Sequence, residues 1–155
     1  SFDALFAAEA EALGHALEGA AVIACLAGDV RPYMVNALDR LKAEGFGIGC
    51  ITNNVKAGRG AAMARSEDKA LQVESIMARF DHVIESSKAG VRKPDPRIYQ
   101  MMCEVLSVSP EDCIYLDDLG INCKPAATLG MHAIKVTSGE QALADLESAV
   151  GLSLV

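Results

Sequence analysis

Residues 113–136 read CIYLDDLGINCKPAATLGMHAIKV. A short apolar run, 113–116, stops at two adjacent acids, Asp117 and Asp118. A helical segment over 121–129 follows and is closed by Gly130. A second apolar run, 132–136, then begins. Strand, helix and strand in so short a span form a crossover unit, and a crossover pairs its strands in parallel. The same alternation runs back toward Pro32. Residues 95–106 read as a helix with Pro96 in its first turn, and 82–85 (HVIE) as a strand. Residues 67–79 are a helix, and 46–52 (FGIGCIT) form a strand bounded by glycine and Asn53-Asn54. A helix over 32–44 starts on Pro32, ends at Gly45 and carries Val35, Leu38 and Leu41 as an apolar stripe. A last amphipathic helix spans 139–150. Between 55 and 66 the chain is small, basic and glycine-rich, and reads as a loop.

This alternation predicts an α/β fold: a parallel sheet with helices on both faces. Ligands of such sheets bind at the carboxyl ends of the strands. Three strands end there in polar groups: Thr52-Asn53-Asn54, Glu85-Ser86-Ser87 and Asp117-Asp118. The topology therefore points to the site before any motif does.

Two carboxylates after an apolar strand are costly to bury without a neutralising cation. Oxygen ligands of this kind suit Mg²⁺, which keeps several waters and takes one or two carboxylates plus substrate phosphate. The competing reading is an N-cap for the next helix, for which one acid suffices. Lys93 sits in the stiff frame 90–96 (GVRKPDP), where Pro94 disfavours helical geometry at Lys93. A lysine so held suits a transferring phosphoryl oxygen, against the plainer reading of a solvated loop lysine. Thr52 and Asn53 end a strand where a hydroxyl and backbone N–H groups can cradle an anion. For Asn54, ordinary turn chemistry suffices.

The chain has 155 residues, 51% hydrophobic and 23% charged, with a formal net charge of −7. That is enough for one domain with a sizeable core. The acidic balance argues against nucleic acid as a partner, since phosphate neutralisation needs clustered Lys and Arg. No apolar run approaches the roughly 20 residues that span a bilayer, and no basic-then-apolar leader is present. Five cysteines without zinc-ligand or disulfide spacing fit a reducing compartment, and Cys50 and Cys113 read as buried core residues. The expected location is the cytoplasm.

In order and spacing, ITNN (51–54), VRKPDPRIY (91–99) and YLDDLGINCKPAATLGMHAIKV (115–136) resemble the second, third and fourth motifs of the haloacid dehalogenase-like (HAD) hydrolases. Within them the chain looks closest to the phosphatase domain of soluble epoxide hydrolase and the phosphatase-like domain of an acyl-CoA dehydrogenase family. The resemblance implies a three-layer Rossmannoid core and Mg²⁺-dependent hydrolysis of a small-molecule phosphate ester. It implies Thr52 and Asn53 on the phosphoryl oxygens, with Asn122 lining the same pocket. Lys93 would stabilise the phosphoryl charge and the nucleophile. Asp118 would be the metal ligand, and Asp117 would contact Lys93 and the metal's water shell. The implied route is attack by an Asp on phosphorus, then hydrolysis of the aspartyl-phosphate.

The family's first motif, a strand ending in Asp-x-Asp, is missing. The nearest match, 20–29 (AAVIACLAGD), ends in Asp29, with Arg31 where the second acid is required. The expectation is therefore a fragment. Residues 1–30 would be the end of a helical cap, rich in Ala, Glu and Leu. Residues 31–155 would be a core without its first strand, inactive alone, its sheet edges left open. Two alternatives remain: a catalytically inactive interaction module, and a haloacid dehalogenase, against which the paired acids argue. A homo-oligomer is compatible with the sequence, and the physiological substrate is not legible in it.

Overall fold

The computed structural model describes residues 2–18, 21–22, 28–54 and 67–154. The loop expected at 55–66 and most of the apolar run 20–29 lie outside the described residues. The chain divides into two compact units, one from Ser1–Val30 with Asn54–Ala78, the other from Arg31–Asn53 with Arg79–Val155. The first contains helices α1 (Phe2–Ala12) and α3 (Glu67–Met77). No helix among the described residues is long and apolar enough to cross a membrane.

The second unit holds the sheet. In chain order it comprises α2 (Pro32–Ala43), β1 (Gly49–Thr52), β2 (His82–Glu85), α4 (Ser86–Ala89), α5 (Pro96–Leu106), β3 (Ile114–Asp117), α6 (Gly120–Thr128), β4 (His132–Lys135) and α7 (Gly139–Val150). Each strand lies within or beside its expected span. The short helix α4 and a 3₁₀ turn at Pro110–Asp112 carry too few residues to display a period, and were not foreseen.

All pairing is parallel, but the four described strands form two ribbons instead of one continuous sheet. β1 pairs with β2, Gly49 opposite His82 through Thr52 opposite Glu85. β3 pairs with β4, Ile114 opposite His132 through Asp117 opposite Lys135. Two shared cores hold the ribbons in one layer. On one face Ile51, Ile84, Tyr115 and Ala133 pack with Ile98, Tyr99 and Met102 of α5 and Ala126 of α6. On the other, Ile48, Ile114 and Leu116 pack with Ala37 and Leu41 of α2 and Leu143 and Leu146 of α7. The result is a three-layer α/β fold, as the alternation implies.

Local chemistry sets the helix ends. Pro96 follows the N-cap Asp95, whose carboxylate accepts the Arg97 N–H at 3.0 Å. The buried residues Ile98, Tyr99, Met102 and Cys103 then form one helical stripe. Ser138 caps α7 by accepting from the Gln141 N–H at 3.1 Å, and Gly151 ends it with φ of 70°. Gly49 lets α5 approach β1 closely, since a Cβ there would lie 2.5 Å from Met102 Sδ.

Candidate active site

Strand β3 delivers Asp117 to the end of its ribbon with 9% of its surface exposed. Four donors meet its carboxylate. Lys93 Nζ (2.8 Å) and the Tyr115 hydroxyl (2.7 Å) donate to Oδ2. The Leu119 N–H (2.9 Å) and Asn122 Nδ2 (3.0 Å) donate to Oδ1. Burial pushes the carboxyl's pKa up, but the bonds from Lys93, Tyr115, Leu119 and Asn122 outweigh it and hold the pKa below the ordinary value. The Lys93–Asp117 pair is therefore a buried ion pair with its acceptor oxygens satisfied, its two side chains 13% and 5% exposed.

Lys93 is held from behind by β1. The Asn53 side chain accepts the Lys93 N–H at 2.9 Å and donates to the Lys93 carbonyl at 2.9 Å. That two-point grip fastens the Lys93-Pro94 turn to the end of the strand. Downstream, Asp95 N–H bonds to the Arg92 carbonyl at 2.9 Å. Of the three ammonium hydrogens of Lys93, one is engaged by Asp117, and no other side-chain partner occurs among the described residues.

Of the remaining expected residues, Asn122 joins this pair. Asn122 is buried in the first turn of α6, its amide on Asp117. Thr52 is the half-buried last residue of β1, and its hydroxyl makes no hydrogen bond among the described residues. Strand alternation puts Thr52 on the same face as Cys50. Burial raises the Cys50 thiol pKa, and the Lys93 charge works against that rise, so the ammonium lies within electrostatic reach of this face. Cys50 and Cys113 are half-buried free thiols, not fully buried as expected, because both lie at strand starts near the rim of the layer.

Adjacent acids take opposite situations. Asp118 is exposed, and its carboxylate has no hydrogen bond or ion pair among the described residues. Neither acid caps α6: the N-cap is Leu119, without a side-chain cap. No group of three or more His, Cys, Asp or Glu able to hold a metal occurs among the described residues. One unengaged hard-oxygen ligand beside a saturated one fits a cation that retains most of its waters. Asp118 would supply one oxygen of such a site, with substrate phosphate and water as the remaining ligands. The residues present thus fit Mg²⁺ as a partial ligand set.

Sequence reasoning missed Tyr115 and Tyr99. Tyr115 lies two residues before Asp117 on β3, so the pleat puts both side chains on one face, a signal that was available. Tyr99, fully buried on α5, donates its hydroxyl to the Asn122 carbonyl at 2.8 Å and meets the Tyr115 ring edge-on at 5.1 Å. An apolar cleft of about 360 Å³ lined by Pro94, Ile121, Pro125 and Leu129 contains none of these polar groups. The chemistry therefore belongs with the ion pair, not with the cleft.

Residues 2–130 match the family described as haloacid dehalogenase-like hydrolase. The chain belongs to this family. Among curated relatives of this HAD-like chain, mouse acyl-CoA dehydrogenase family member 10 is 39% identical over 123 residues, 79% of this chain and 11% of that protein. Pig bifunctional epoxide hydrolase 2 is 36% identical over 122 residues, covering 79% and 21%. Phosphatase MT3486 of Mycobacterium tuberculosis is 33% identical over 113 residues, covering 73% and 47%. The HAD-like chain thus spans less than half the length of each. Among solved structures, an uncharacterized Corynebacterium glutamicum protein superposes with a TM-score of 0.63 at 24% identity, over 76% of this chain and 80% of that one. A HAD family enzyme of Bacteroides thetaiotaomicron gives 0.62 at 19% identity, over 91% and 68%. These likenesses establish the fold.

Proposed function

We propose that this chain is the core of a Mg²⁺-dependent phosphomonoester hydrolase acting through an aspartyl-phosphate. The observation that carries the reading is the buried Lys93–Asp117 pair, fastened to β1 through Asn53 and to α6 through Asn122. It presents a cation with uncommitted hydrogens at the strand ends, beside the unengaged carboxylate of Asp118. In phosphoryl transfer the protein's task is positioning and charge neutralisation, which this arrangement suits. The Mycobacterium tuberculosis phosphatase among the relatives points the same way.

In the first step a carboxylate oxygen attacks phosphorus, the ester P–O bond breaks, and the leaving alkoxide takes a proton from solvent to depart as the alcohol. Water then attacks phosphorus, releasing inorganic phosphate and restoring the carboxylate. Lys93 meets the charge on the transferring oxygens, Thr52 and Asn53 bind them, and Asn122 steadies Asp117. Mg²⁺ held at Asp118 would neutralise phosphoryl charge and orient the ester.

The nucleophile belongs to a strand this sequence does not contain. The sequence has no Asp-x-Asp, and β1 and β3 each pair on one side only among the described residues. A parallel strand between them would join the ribbons and bring its last residue to Lys93. On this reading residues 1–30 close a helical cap that selects the substrate, 31–155 are the core, and the isolated chain is inactive. The four free cysteines among the described residues suit the cytoplasm.

The test is hydrolysis of a generic aryl phosphate by the full-length protein and by this chain, each with Mg²⁺ and with EDTA. Mg²⁺-dependent phosphate release by the full-length protein alone is expected. Full-length protein inert toward phosphate esters, or releasing halide from a 2-haloacid instead, would overturn the reading.

A further inference from the structure

The reaction scheme leaves the two tyrosines without a task, yet both hydroxyls are spent on the site. A phenylalanine would fill either ring position at lower desolvation cost, since a buried hydroxyl is unfavourable unless bonded. Here the bonds converge on one carboxylate from two sides. Tyr115 donates to Asp117 Oδ2, the oxygen that also receives Lys93 Nζ. Tyr99 donates to the main-chain carbonyl of Asn122, whose side-chain amide holds Oδ1. The rings meet edge-on at 83°, so each fixes the other's plane.

Oδ2 is the shared point. Leu119 and Asn122 hold Oδ1, but without Tyr115 the lysine would be the only donor to Oδ2. With the Tyr115 hydroxyl on the same oxygen, part of the negative charge on Oδ2 is already met and the ammonium is drawn in less strongly. Lys93 is then anchored by one hydrogen while two stay available to a phosphoryl group. The fixed donor needs no rearrangement as charge develops, which is where preorganised electrostatics accelerate a reaction.

We propose that Tyr115, braced by Tyr99, is a positioning residue for phosphoryl transfer: its hydroxyl holds Asp117 so that Lys93 meets the phosphoryl group in the transition state. The inference rests on the phosphatase reading above. Its effect falls on kcat more than on KM, because ground-state binding by Thr52 and Asn53 is untouched.

The experiment compares full-length wild type, Y115F and Y99F on an aryl phosphate, with thermal melts of each. Y115F is expected to lower kcat about tenfold, the size of one charge-assisted hydrogen bond, with KM changed less than about twofold. Y99F, which keeps the Tyr115 hydroxyl, is expected to fall about threefold, well short of Y115F. Affinity for vanadate, which mimics the five-coordinate phosphorus, should drop with kcat while affinity for inorganic phosphate holds. Replacing Tyr115 with 3-fluorotyrosine retains the hydroxyl and should restore the rate, and it decides the matter if Y115F does not fold. Wild-type kcat in Y115F, or equal losses in kcat and phosphate affinity, would overturn the positioning role alone. A wild-type protein without phosphatase activity would remove the phosphatase reading and this inference together.

Discussion

Replacing Lys93 with methionine keeps the stem and removes only the charge, which isolates the ion pair. Asp117 would then keep three donors, the Tyr115 hydroxyl, the Leu119 N–H and Asn122 Nδ2, with its side chain still 5% exposed. Stripping one partner from a buried pair leaves the other charge uncompensated and costs about 3 kcal/mol, the low end of such cases because neutral donors remain. With a urea slope of about 2 kcal/mol/M, that moves the unfolding midpoint down by about 1.5 M. The loss also has a pH signature. In the wild type the folded pKa of Asp117 is depressed, so its contribution is present above the unfolded carboxyl value of about 3.9 and fades as pH falls through the folded one. In K93M burial acts without the lysine, the folded pKa rises, and the carboxylate destabilises the fold at neutral pH. The gap between the two proteins should be full at pH 7, narrow as the K93M carboxyl takes up its proton, and close only below the depressed folded pKa of wild-type Asp117. Urea melts followed by circular dichroism from pH 7 to about pH 2 measure it. An unchanged midpoint at neutral pH, or a gap that acid leaves intact, would refute the claim that Lys93 and Asp117 form a buried pair.

Asp118→Asn should change stability by less than about 0.5 kcal/mol, because the exposed carboxylate engages nothing among the described residues. The same substitution should cut Mg²⁺-stimulated hydrolysis by the full-length protein about 100-fold, read as initial rate against Mg²⁺ concentration. Asn53→Ala removes both bonds to the Lys93 backbone and should cost about 2 kcal/mol in a urea melt. Its kcat should fall as well, since Lys93 loses its anchor; a stable N53A protein with wild-type kcat would contradict the stitching role.

Most of the fold was legible because its signals are local. The run 114–117, the Pro96 and Gly130 punctuation and the stripe of α5 each report their own element within a few residues. The short helix α4 escaped because four residues span barely one helical turn. The division into two ribbons agrees with the expected sheet lacking its first strand, but which strands pair is set by hydrogen bonds between residues about thirty apart at β1 and β2 and about eighteen apart at β3 and β4. In the site, Asp117, Lys93, Asn53 and Asn122 came from motif and spacing, and the structure joins all four in one hydrogen-bonded chain. Tyr99 could not be read in, since its task depends on α5 lying against β3.

By itself the sequence determined that an apolar strand ends in two acids, that a stiffened lysine precedes them, and that both belong to a parallel α/β layer. Only the tertiary structure decided how the acids divide the work. Neighbouring residues on a strand point to opposite sides, so one of the pair had to turn inward. Which one depended on donors brought from a loop twenty-four residues upstream and from the following helix. Those donors surround Asp117 and leave Asp118 to the solvent, because a buried carboxylate persists only where its lone pairs are met.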